Sequence, residues 1–234
     1  MIELFDPVYW LFILPGLGLS LLASWMTKST FAKYSRIRGS KGLTGAEAAR
    51  IMLERNGVRD CRIEPVSGML TDHYDPRAKT LRLSSEVYGS TSLSAVGVAC
   101  HEAGHALQHA NSYPFLMMRS TLVPMVGVCS NLGYIIIVAG LFFLHSKPLL
   151  LVGCILFATS TLFTIVTLPV EWDASARAKK AMVTAGLVTP QESSHAGKVL
   201  NAAFLTYLAS AITSILTLLY YLMRSGLLGG RSND

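Results

Sequence analysis

The chain has 234 residues, of which 51% are hydrophobic and only 15% charged; an ordinary soluble domain carries about 25% charged residues, and the deficit points to a membrane protein. Its net charge of +6 is carried by basic residues that flank apolar blocks and lack the interleaved aromatics of a base-stacking platform, so no nucleic acid is expected and anionic lipid at the cytoplasmic face is the better partner. The four cysteines, Cys61, Cys100, Cys129 and Cys154, form no CxxC pair and give no sign of a disulfide framework.

Val8 to Met26 carries no charge and is long enough to cross a hydrocarbon core of ~30 Å once as a helix. The residues ahead of it are acidic, Glu3 and Asp6, and no small-x-small cleavage site follows, so it reads as a span rather than a signal peptide. Thr44-Gly45-Ala46-Glu47 forms a capping box that opens a helix through Leu53, with a stop at Asn56-Gly57. Arg62 to Val66 alternates weakly, and Leu81 and Leu83 mark a short half-buried strand. Between them, Gly68 to Pro76 carries turn chemistry around Asp75-Pro76. A small hairpin or sheet is expected, whose edge either receives an extended peptide by strand addition or merely covers the neighbouring helix.

Leu93 to Ala110 is the next helix, and it holds His101-Glu102-Ala103-Gly104-His105, the HExxH pattern. Residues four apart on an α-helix lie about 40° apart around the axis, so both imidazoles leave one face and can grip a single metal ion. Glu102 faces the same cleft, placed to take a proton from a water, which is the arrangement of a zinc hydrolase. Cys100 projects about 100° away from His101 and packs rather than ligates. Asn111-Ser112-Tyr113-Pro114 breaks the helix.

Leu122 to Leu144 and Leu149 to Val170 are two more spans, joined so briefly by His145-Ser146-Lys147-Pro148 that they must form an antiparallel hairpin. Leu200 to Met223 is the fourth. Lys28, Lys33, Arg36, Arg38 and Lys41 follow the first span and Arg177, Lys179 and Lys180 the third, whereas the hairpin tip has only Lys147; Arg224 and Arg231 in the tail run against this trend. The amino terminus is therefore expected outside and the HExxH helix in the cytoplasm. The expected organisation is an N-terminal transmembrane helix (1–27), a cytoplasmic catalytic domain with the HExxH helix (28–121) and a transmembrane hairpin (122–170). A cytoplasmic helical segment (171–199) and a fourth transmembrane helix with a short tail (200–234) complete it.

A catalytic zinc site takes three protein ligands and keeps one position open. The candidates for the third are His109, His145, His195, Glu171 and Asp173. On a continuous helix His109 lies a full turn beyond His105 and cannot close around the same ion, and His145 falls on the wrong side of the membrane. Glu171 fits best: it follows Pro169 at the cytoplasmic exit of the third span and opens a helix through Arg177. Asp173 is the runner-up, with an outer role orienting a histidine ligand or pairing with Arg177 as the preferred alternative.

These residues carry a family likeness. Residues 5–26, Leu43 to Gly57, Leu70 to Pro76, Leu81-Arg82-Leu83-Ser84, the HEAGHALQH stretch, Pro169 to Ser175 and Leu205-Thr206-Tyr207 together resemble the YugP-like membrane zinc metallopeptidases. The resemblance covers nearly the whole chain and implies a zinc-dependent peptidase of prokaryotic membranes with its active site in the cytoplasm. The site also resembles that of the HtpX/Ste24 gluzincin proteases, whose third ligand is a glutamate in an ExxxD pattern. Glu171 matches that glutamate, but Ser175 occupies the aspartate position and Asp173 stands two residues earlier.

The expectation is a mainly α membrane protein with about four transmembrane helices and a small cytoplasmic α+β zinc-protease domain, an integral protein of the prokaryotic cell (inner) membrane. His101, His105 and Glu171 would hold Zn²⁺ and Glu102 would act as general base in hydrolysing peptide bonds of membrane-associated or misfolded proteins. An oxyanion donor would come from Tyr207, His195, His73 or Arg177. Two other readings compete: a site-2-type intramembrane protease, whose HExxH lies inside a span, and a non-enzymatic adaptor or chaperone, whose structural zinc would have a fourth protein ligand.

Overall fold

The structure is a computed structural model that describes residues 7–228. Glu3 and Asp6 ahead of the first span, Phe5 at the start of the family-like stretch and Arg231 in the tail lie outside the described residues. In chain order the elements are α1 (Pro7–Tyr34), α2 (Gly45–Arg55), β1 (Arg62–Val66), β2 (His73–Asp75), β3 (Thr80–Ser84), α3 (Ser85–Tyr88), α4 (Leu93–Ala110), α5 (Pro114–Val138), α6 (Lys147–Thr184) and α7 (Pro190–Arg224), with a π-helical turn, Ala139–Phe143, closing α5. Four helical stretches, Pro7–Tyr34, Pro114–Phe143, Lys147–Thr184 and Pro190–Arg224, are long and apolar enough to cross a membrane. With the small α/β portion they make the expected fold class. The chain divides into two compact units.

One unit comprises residues 23–117 and 169–205 and carries the HExxH helix. Its α2 starts as its sequence dictates: the Glu47 amide donates to Thr44 Oγ1 at 3.2 Å and Glu47 Oε2 accepts from the Thr44 amide at 2.8 Å, closing the capping box. The helix ends at Asn56, and Gly57 follows in the left-handed region at φ +80°. The sheet order is β1-β3-β2, with β1 parallel and β2 antiparallel to β3. Asp75 Oδ1 accepts from the amides of Arg77 and Ala78, which folds the β2–β3 turn. Leu81 and Leu83 of β3, Met52 and Leu53 of α2, and Ala95, Val96, Ala99 and Ala103 of α4 share one buried cluster with Met182 of α6 and Ala196 of α7.

The other unit comprises residues up to 22, 118–168 and from 206 on. Its buried cluster is Ile137, Leu150, Cys154, Tyr220 and Tyr221. Helices α5 and α6 approach at Gly133 and Gly153, where an added Cβ at Gly153 would stand 2.9 Å from the Ile137 amide nitrogen. Hydroxyl pairs bridge neighbouring helices: Ser130 with Ser160, Thr161 with Ser214 at 2.8 Å, and Ser20 with Thr213 at 3.4 Å. Small residues and interhelical hydrogen bonds are how helices associate where lipid removes the hydrophobic drive.

One local expectation differs. No new helix opens at Glu171; α6 runs unbroken through Pro169 to Thr184. Proline deletes one N–H bond of the ladder, and a helix of 38 residues packed on both sides of that point tolerates the loss.

Candidate active site

Ser92 starts α4 by accepting the Ala95 amide at its Oγ. Ala95, Ala99, Cys100, Ala103 and Ala106 are buried, which turns the intervening face with His101 and His105 toward α6. Contact between the two helices depends on Gly104. A Cβ there would stand 2.6 Å from the carbonyl oxygen of Ala174 and 3.3 Å from its Cα. Only glycine lets α4 come this near the α6 backbone.

At that approach Glu171 reaches the two imidazoles. Its Oε2 lies 3.1 Å from His101 Nε2 and 3.6 Å from His105 Nε2, and one ligand atom from each of the three residues falls within 4.8 Å of the others. Donors at 2.0–2.1 Å around a tetrahedral zinc ion stand roughly 3.3 Å apart, so the two spacings bracket what such an ion needs, and two nitrogens with one carboxylate oxygen is a donor set zinc accepts. Glu171 is 1% exposed and lies beyond the apolar stretch that ends at Val170. Burial alone would raise its pKa; the imidazoles of His105 and His101 outweigh burial and hold the carboxyl well below its ordinary range. Glu102, between the histidines, is 9% exposed.

The outer nitrogens of both rings are engaged. His101 Nδ1 meets Ser175 Oγ at 3.1 Å, so the serine at the aspartate position of the ExxxD pattern contacts the first histidine itself. His105 Nδ1 lies 3.0 Å from Gln108 Oε1, and Gln108 Nε2 donates at 2.8 Å to both the Val170 carbonyl and Asp173 Oδ2. Arg177 Nε donates to the same Asp173 oxygen at 2.5 Å, and its guanidinium sits 5.7 Å from the centre of the Tyr113 ring. Asp173 thus pairs with Arg177 and reaches His105 through Gln108.

The remaining candidates have other partners or belong to the other unit. His109 Nδ1 pairs with the Tyr74 hydroxyl at 2.8 Å, His73 Nδ1 with the Thr71 carbonyl at 2.7 Å, and His195 stacks on Tyr34 with ring centres 5.2 Å apart. Tyr207 and His145 belong to the other unit. Gln108 was missed in the sequence. Its signal was a lone amide three residues after His105 in an otherwise apolar turn, which places it on the histidine's own face.

Four membrane-length helices and a two-histidine, one-glutamate cluster on packed helices define a membrane protein of the zinc metallopeptidase class. Comparison with known proteins agrees. Residues 9–226 match the family described as "Putative neutral zinc metallopeptidase". The chain is 46% identical over 208 residues to "Putative membrane protease YugP" of Bacillus subtilis (strain 168), a match covering 89% of this chain and 92% of that protein. No solved structure matches it. The chain belongs to this family of membrane zinc metallopeptidases.

Proposed function

We propose that the protein is a zinc-dependent endopeptidase that cuts membrane-associated or misfolded proteins at the cytoplasmic face of the prokaryotic cell membrane. The observation that carries this is the convergence of His101, His105 and Glu171 at 3.1 and 3.6 Å from two separate helices. These three side chains hold the metal, and Zn²⁺ suits them best. When bound, zinc supplies a Lewis acid for the scissile carbonyl and lowers the pKa of a water from ~15.7 towards ~7. Glu102 takes the proton of the attacking water and passes it to the leaving amine.

Glu171 follows the third span directly in the sequence, which favours substrates presented at the bilayer surface. Residues 1–27, 122–170 and 200–234 then lie in or at the membrane, and 28–121 and 171–199 in the cytoplasm, as the basic residues after the first and third spans favour. Against an intramembrane site-2-type enzyme, α4 is not among the helices long and apolar enough to span. Against a structural zinc, no fourth His, Cys, Asp or Glu joins the cluster among the described residues.

Purified full-length protein should bind one zinc per chain, and Glu102→Gln should keep the metal and lose turnover. Membrane proteomes of cells carrying the active or the Glu102→Gln form identify the substrates as polypeptides that accumulate uncut. Near-normal cleavage by Glu102→Gln refutes the general-base role, and identical proteomes refute the substrate class.

A further inference from the structure

The hydrogen bonds behind the two histidines are not equivalent. A hydroxyl can donate or accept by rotating its O–H, so Ser175 leaves the tautomer of His101 open. Gln108 has no such freedom. Both N–H bonds of its amide point at acceptors 2.8 Å away, the Val170 carbonyl and Asp173 Oδ2. Turned over, the amide would set its oxygen against those two oxygens, so its orientation is determined by its partners. Arg177 holds Asp173 in place at 2.5 Å, and Gln108 itself is fully buried, with 0% exposure. Its Oε1 therefore faces His105 Nδ1 at 3.0 Å as an acceptor only, and the ring nitrogen opposite must be the donor.

We infer that Gln108 is a positioning residue: its fixed amide oxygen locks His105 in the Nδ1–H tautomer and aims the Nε2 lone pair into the cluster with Glu171. The inference rests on His101, His105 and Glu171 being a metal site. The same amide also sets the spacing of the ligands. Its two anchors, at Val170 and Asp173, flank Glu171 on α6, while Gln108 itself sits three residues from His105 on α4. One side chain thus ties the second ligand to the third, and no hydroxyl could bond all three groups at once.

The test uses the full-length protein in detergent, with zinc affinity measured by competition against a chromogenic chelator. Gln108→Met keeps the length and removes every hydrogen bond; it should bind zinc about 10- to 100-fold more weakly, the usual cost of losing a partner behind a metal-ligating histidine. Unchanged affinity in a folded Gln108→Met protein overturns the inference. A second measurement needs no variant. In zinc-loaded native protein with ¹⁵N-labelled histidine, the His105 signal should show a one-bond N–H coupling at Nδ1; a metal-bound Nδ1 overturns the inference. A native chain that binds no zinc removes the metal site itself, a failure distinct from native binding that Gln108→Met leaves intact.

Discussion

The sharpest perturbation is a single methyl group, Gly104→Ala. Its Cβ would meet the Ala174 carbonyl oxygen at 2.6 Å, about 0.8 Å inside ordinary contact, and the neighbour is helix backbone that cannot rotate away. Two terms oppose each other in global stability. Alanine gains about 1 kcal/mol over glycine in a helix interior, and overpacking costs about 1–3 kcal/mol, so the net loss is at most about 2 kcal/mol. The metal site has no such compensation. Ala174 lies one turn past Glu171, so a retreat of α6 by even half of that overlap carries the carboxylate away from the imidazoles, where ligand distances are held within about 0.2 Å. Zinc affinity, measured by chelator competition, should fall at least about tenfold while the thermal midpoint of the metal-free protein moves little. Gly97→Ala on the same helix is the comparison: its Cβ would press on Ala196 of α7 at 3.2 Å, a milder squeeze that is not directed at α6 and its Glu171, and it should weaken zinc binding less than Gly104→Ala. A folded Gly104→Ala protein with native zinc affinity would refute the close approach as the determinant of the site.

Other outcomes follow from the same geometry. Removing zinc with a chelator should abolish peptidase activity and restoring it should recover the activity; activity that persists in metal-free protein counts against the metal mechanism. Ser175→Ala deletes one neutral hydrogen bond to His101, worth about 1 kcal/mol, and should weaken zinc about fivefold, less than Gln108→Met; a larger loss would make the serine the dominant partner. Glu192 has its pKa lowered from 4.5: burial raises it, but the amides of Thr189 and Ser40 and their hydroxyls outweigh that. A depressed folded pKa contributes stability that is present above the unfolded value and lost as pH falls through the folded one. The melting difference between metal-free native protein and Glu192→Gln should therefore narrow from pH 6 to about pH 3; a constant difference rules out this linkage.

The local chemistry of the chain was readable without a structure. Thr44 and Glu47 cap α2 because both partners lie within one turn, and Leu93 to Ala110 is helical because an apolar stripe follows a serine cap. His101 and His105 share a face by helix geometry alone, and the membrane-length helices are dictated by uncharged runs. What depended on distant pairing was not readable. Parallel pairing of β1 with β3, which leaves β2 at the edge, is chosen by contacts across the loop between them, where no local signal exists. Pro169 looked like a helix boundary, yet packing on either side carries α6 through it. The closeness of α4 to α6 was decided in three dimensions, by the missing Cβ of Gly104. So was the amide of Gln108, whose partners stand 62 and 65 residues away and become neighbours only when the two helices pack. Sequence determined which atoms are able to bind a metal, because ligand type and helical period are local properties; the fold alone decided that they meet, because that depends on how closely two backbones can pack.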